Sequence, residues 1–180
     1  MEKSTLSLSQ KTEKTVALLS QKGWHISFAE SCTGGKAAAA LVDVASASAV
    51  FDASFVTYAN AAKMKYLGVA GDLIDAHGVV SEPVALAMAQ GVAKETGAEV
   101  GVGISGIAGP SGGTPQKPVG TVCFGFYIDG DAFAVTCHFG DIGRNAVRDK
   151  SVDFVYNTLL KKLKKTKGSE KMFENFFPAP

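Results

Sequence analysis

The chain has 180 residues, 46% apolar and 19% charged, with a net charge of +1. These values fit one globular domain with a buried core and exclude a disordered chain. No run approaches the roughly 18 uninterrupted apolar residues that span a bilayer, and the opening MEKSTLSLSQKTEKT lacks the apolar core and cleavage pattern of a secretory signal. A cytoplasmic address, with no membrane partner, is therefore expected.

Charge is unevenly spread. Six lysines fall in the last twenty residues, and residues 1–160 carry a net −3. The body is thus not a nucleic-acid surface, and the lysine-rich end suits a solvated helix C-terminus, where cations offset the helix dipole.

In chain order, Ser9 to Lys22 reads as an amphipathic helix, with Val16 and Leu19 on one stripe and Gly23 as its stop. Trp24 to Ala29 reads as a strand, and Gly34 to Val44 as an alanine-rich helix entered through a glycine turn. Ser54 to Tyr58 is strand-like, followed by a helix from an Asn60 cap to Leu67, which Gly68 ends. Ser81 as a cap, Pro83 in the first turn and Gly97 at the end bound a helix of about fifteen residues.

Glu99 to Ile104 is a strand that runs into a glycine- and proline-rich loop, Gly106 to Pro118. Val119 to Ile128 and Ala132 to Phe139 flank Asp129-Gly130, a strong hairpin signal. A last helix covers Arg144 to Lys165. The expected architecture is a single α/β domain over residues 1–168, with three α/β/α layers and a mixed, mostly parallel sheet ending in a β-hairpin, and a loose tail over 169–180. Ligands in such open sheets bind beyond the carboxyl ends of the strands, where both glycine-rich segments fall.

Four segments could carry chemistry. AESCTGG (29–35) joins a strand to a helix, so its amides converge on one spot suited to an anion or oxyanion. Ser31, Cys32 and Thr33 are possible nucleophiles there, although taken alone the stretch is better explained by Ser31 or Thr33 as a simple helix cap. In FVTYANAAK (55–63), Lys63 falls in the first turn of a helix. Dipole and burial both lower its pKa there, and a neutral lysine can deprotonate a serine. From this stretch alone Lys63 reads more readily as an ordinary surface lysine, and Lys65 should face elsewhere.

The loop ISGIAGPSGGTPQKPVGT (104–121) has neither Walker nor GxGxxG spacing. Its length in a compact domain still favours a phosphate or ribose cradle. Arg144 and Arg148, the only arginines, open the last helix, where they could clamp a phosphate or form surface ion pairs. The three cysteines and three histidines are scattered, so no metal site and no cofactor are expected.

Together AESCTGG, FVTYANAAK, HGVVSEPVA, ISGIAGPSGGTPQKPVGT and the Gly143-Arg144…Arg148 segment are similar, in order, to the CinA C-terminal domain family over residues 8–160. That family includes stand-alone nicotinamide-nucleotide amidohydrolases. The resemblance implies hydrolysis of nicotinamide mononucleotide to nicotinate mononucleotide and ammonia, in pyridine nucleotide salvage. It places Ser31 as nucleophile and Lys63 as base, with Tyr58 and Ser48 supporting them. Amides around Thr33, Gly34 and Gly35 would hold the oxyanion.

Ser105, Gly106, Gly109, Gly112, Gly113 and Arg144 would hold the substrate, the loop and Arg144 taking its phosphate. Ala59-Asn60-Ala61-Ala62 departs mildly from the family's commoner Ser-Asn-Glu-Ala. The alternative is a non-catalytic nucleotide-binding or regulatory module of the same fold. The partner expected is a small nucleotide, and oligomeric state stays open, a homodimer included.

Overall fold

The computed structural model describes residues 6–165. The tail expected over 169–180 and the end of the domain at 168 lie outside them. Helix α1 (Leu8–Lys22) opens on a reciprocal box in which the Ser7 hydroxyl accepts from the Gln10 amide and the Gln10 side chain accepts from the Ser7 amide. Gly23, left-handed at φ 63°, closes it.

Strand β1 (Ile26–Glu30) leads to α2 (Lys36–Val42), a 3-10 turn at Ala47–Ala49 and β2 (Phe51–Val56). Helices α3 (Asn60–Leu67), α4 (Gly71–His77) and α5 (Glu82–Thr96) follow, then β3 (Val100–Gly106), β4 (Thr121–Ile128), β5 (Asp131–His138) and α6 (Arg144–Leu163).

The sheet order is β2-β1-β3-β4-β5. β1 pairs in parallel with both β2 and β3, whereas β4 runs antiparallel to β3 and β5. Only β4 therefore opposes the other four strands, and the sheet is mixed and mostly parallel, as expected. Asp129 (φ 48°) and Gly130 (φ 94°) make the two-residue turn between β4 and β5, the mirror-image turn whose twist matches a hairpin.

Each face of the sheet has its own core. On one, α1, α2 and α6 close over Phe28, Phe124 and Phe126 with Leu19, Tyr156 and Leu159, all fully buried. On the other, Leu67, Ile74, Met88 and Val92 of α3, α4 and α5 pack around Ala29. α5 lies directly on the strands, because β3 and β4 present Gly101, Gly103 and Gly125 to it. A Cβ at any of the three would stand 2.1 Å from the Ala85 or Ala89 carbonyl. The three-layer arrangement thus depends on strands that are bare where the helix crosses. No helix among the described residues is long and apolar enough to cross a membrane.

Several local expectations change. α4 has no counterpart among the expected elements; it forms because Ile74 is buried against the α5 side of the sheet, a tertiary contact that seven residues cannot advertise. Ala59, not Asn60, occupies the cap of α3. Ser81 caps α5 by position only, since its hydroxyl donates to the Gly78 carbonyl at 2.8 Å. β2 begins at Phe51 rather than Ser54.

Candidate active site

Parallel pairing brings the carboxyl ends of three strands level, with Glu30 opposite both Val56 and Ile104. The chain turns sharply after Glu30. The Ser31 amide donates to the Ile104 carbonyl at 3.0 Å, and Gly34 and Gly35 take left-handed φ values of 59° and 91° that disfavour a side chain. Ser31 is half-buried at this corner, between the carboxyl ends of β1 and β3.

Glu30 anchors the turn. Its carboxylate is fully buried and accepts from the amides of Gly35 (2.9 Å), Ala37 (3.2 Å) and Ala38 (2.9 Å). The first amides of α2 thereby stabilise a buried anion that would otherwise be costly. The sequence reading missed Glu30. A signal was there, since it is the one charged residue in the strand ISFAE.

Lys63 projects from α3 and is completely buried. Its Nζ lies 3.3 Å from Ser31 Oγ, 2.6 Å from the Thr57 carbonyl and 3.4 Å from the Tyr58 carbonyl. Burial lowers its pKa below the usual lysine value of 10.5. It is not a surface lysine. Lys65, two positions on, is exposed.

The oxyanion assignment needs correction. The Gly34 amide donates to the Ser31 carbonyl at 3.1 Å and the Gly35 amide to Glu30, so neither is free to meet a substrate oxygen. The Thr33 amide has no acceptor among the described residues, whereas the Cys32 amide is turned to its own thiol. Thr33 keeps its place in the turn, Gly34 and Gly35 shape it. Cys32 is buried, and burial pushes its thiol up to about 12. At neutral pH it is a thiol, a poor rival to Ser31 as nucleophile.

Tyr58 also changes role. Its backbone carbonyl meets Lys63, but its hydroxyl accepts from Arg144 Nη2 at 3.1 Å, and the side chain is 64% exposed. The hydroxyl is therefore directed to Arg144, not to the amine. Ser48 stands in the 3-10 turn before β2, exposed, at the amino end of the sheet, where the Ile26 amide meets the Val50 carbonyl. A strand of five residues, roughly 16 Å, separates that end from Ser31. Ser48 does not support the pair within one chain.

A pocket of about 450 Å³ is lined by Tyr58, whose carbonyl meets Lys63 Nζ, and by Arg144, residues 78–80 and the loop after β3, while Ser31 and Lys63 themselves do not line it. Its size is in the range of small-molecule sites. Gly106, Gly109 and Gly112 line it, whereas Gly113 does not. At Gly109 (φ 79°) a Cβ would fall 2.5 Å from Val119 Cγ1, so the loop folds tightly on itself. Ser105 lies behind the wall: it is buried, and its hydroxyl donates to the Val79 carbonyl at 2.7 Å. Through that bond it holds residues 78–80, which line the pocket.

Arg144 Nη1 donates to the Gly109 carbonyl at 2.9 Å, tying α6 to the loop. Arg148 instead donates through Nη2 to the Thr33 carbonyl at 2.9 Å and braces the turn from behind. Thr33 Oγ1, Thr57 Oγ1 and Arg148 Nε are buried with no partner among the described residues. No cluster of three or more His, Cys, Asp or Glu side chains among those residues is arranged to hold a metal.

The CinA C-terminal domain family model matches residues 8–163. The nicotinamide-nucleotide amidohydrolase PncC of Enterobacter agglomerans is 50% identical over 147 residues, covering 81% of this chain and 88% of that protein. A CinA-like protein of Kosmotoga olearia is 45% identical over 152 residues, covering 82% of this chain but 37% of its own length. The chain thus spans about a third of that longer relative. Among solved structures, the competence/damage inducible protein CihA from Agrobacterium tumefaciens matches with a TM-score of 0.85 at 36% identity, over 92% of this chain and 100% of that one.

Proposed function

This chain belongs to the CinA C-terminal domain family, and we propose that it is a serine amidohydrolase that deamidates nicotinamide mononucleotide. The similarity to PncC, half the residues over most of both chains, supports the substrate. One geometric observation carries the mechanism: the three neighbours of Lys63 Nζ are two carbonyl oxygens and one hydroxyl. A neutral amine has two N–H donors and one lone pair. Carbonyls only accept, so Thr57 and Tyr58 take the two N–H groups and the lone pair is left for the Ser31 hydroxyl. Burial of Lys63 favours that neutral form.

Lys63 then removes the Ser31 proton as Oγ attacks the carboxamide carbon. The Thr33 amide, which has no acceptor among the described residues, stabilises the oxyanion. Lys63 returns the proton to the departing nitrogen, and ammonia leaves an acyl-serine. Water, deprotonated by the same amine, attacks the ester carbon, and Ser31 departs with the proton as nicotinate mononucleotide is released. Every step uses the one lysine, consistent with Tyr58 being tied to Arg144. A pure binding module gives no role to a buried amine facing a serine. Purified protein incubated with nicotinamide mononucleotide should release ammonia and nicotinate mononucleotide in equal amounts; absence of both while Ser31 is intact would refute the reading.

A further inference from the structure

We propose that Lys117 selects for a phosphomonoester dianion on the substrate, acting with Arg144 in the pocket that Tyr58 lines. The proposal rests on the deamidase reading for the rest of the substrate, but its own basis is the charge and geometry of the pocket wall. From Ser111 to Pro118 every residue is exposed except Lys117, which is half-buried. A tight turn holds it there. The Thr114 amide donates to the Lys117 carbonyl at 2.9 Å, and the Lys117 amide donates to Thr114 Oγ1 at 3.0 Å. Its Nζ crosses to the end of α4 and donates to the His77 carbonyl at 2.8 Å.

That contact occupies one of three ammonium donors, and no carboxylate pairs with Lys117 among the described residues. Among the described residues Arg144 likewise has only neutral partners, the Gly109 carbonyl and the Tyr58 hydroxyl. Both cations line the pocket, and among the described residues no aspartate or glutamate does. Two unneutralised cations at one concave surface match the near-dianionic charge of a phosphomonoester at neutral pH. A ligand without the phosphate would leave both cations facing solvent, so the pocket discriminates by charge as well as by shape. Lys117 also ties the loop to the end of α4, which gives the charge a fixed position.

The test compares nicotinamide mononucleotide with nicotinamide riboside in wild type, Lys117→Gln and Lys117→Arg, measuring kcat and KM for each. For Lys117→Gln, KM for the mononucleotide should rise roughly 10- to 100-fold, as expected for loss of charge-assisted hydrogen bonds. Loss of the tether lowers kcat/KM for the riboside as well, but by roughly 10-fold less than for the mononucleotide, and Lys117→Arg should recover most of the mononucleotide preference. A parallel measurement needs no turnover: inorganic phosphate, at matched ionic strength against chloride, should raise the melting temperature of wild type and not of Lys117→Gln. Equal losses on both substrates, or a phosphate shift that survives in Lys117→Gln, would overturn the proposal while leaving the deamidase reading intact. Absence of deamidation with a Lys117-dependent phosphate shift would overturn the deamidase reading and support the anion site.

Discussion

The two glycine-rich connections that leave the carboxyl ends of β1 and β3 look alike in composition and differ in construction. In the 31–35 turn the Ser31 amide is held by Ile104, the Gly34 amide by Ser31 and the Gly35 amide by buried Glu30, and Arg148 braces the Thr33 carbonyl from behind. What remains is a serine hydroxyl whose one partner is a buried amine, and the amide of Thr33. The loop after β3 is mostly exposed from Ser111 to Pro118 and is tied down at a few points, by Arg144 at Gly109 and by Lys117 at His77. A rigid turn that aims reacting atoms suits bond making, and a tethered loop bearing cations suits binding. Changes in the turn should therefore fall on kcat, and changes in the loop and its tethers on KM.

The sharpest way to break this contrast is Ser31→Ala. Ammonia release should fall on the order of 10⁴-fold or more, as when a covalent nucleophile is removed, while circular dichroism stays native because the Ser31 side chain makes no structural bond other than to Lys63. Appreciable activity in this variant would move the chemistry out of the turn.

Lys63→Arg should cost roughly 10²- to 10⁴-fold in kcat, the usual weight of a general base, because guanidinium does not deprotonate. In wild type the rate should rise with pH through a group that titrates below an ordinary lysine, since burial lowers the Lys63 pKa. The same shift sets a stability signature. Between the lowered folded value and the ordinary 10.5, the unfolded chain holds one proton more than the folded chain, so stability increases with pH across that window. Lys63→Met lacks this slope. It should melt higher than wild type at pH 7, with the margin narrowing toward pH 10, and a margin that widens would mean the folded state prefers the charged amine.

Arg144→Gln addresses the loop side. It should raise KM for nicotinamide mononucleotide about 10-fold or more, the scale of one lost charge-assisted contact, with a smaller change in kcat. A fall in kcat at unchanged KM would place Arg144, through Tyr58, in the chemistry instead. The smallest effect should come from Cys32→Ala, with deamidation close to wild type, because its thiol stays protonated at neutral pH. Loss of activity there, alongside retained activity in Ser31→Ala, would exchange the nucleophile.

Much of the fold was legible in the chain. The Gly23 stop of α1, the Pro83 and Gly97 limits of α5 and the Asp129-Gly130 hairpin are local, and alternation of strands with helices carries the layer order. The segments that would meet at the strand ends could also be named, because a parallel sheet brings its carboxyl ends together whatever else it does. Local sequence does not say which atoms are already engaged once they meet. That Gly34 and Gly35 have no amide left for substrate, that Glu30 is the anchor of the turn, that Tyr58 turns to Arg144 and Ser105 to Val79, and that Ser48 sits at the far end of β1 follow from contacts between residues distant in sequence. Residue types and spacing determined the donors and acceptors available; only the packed structure, in which each N–H and lone pair meets one neighbour and excludes others, decided which of them remain for chemistry.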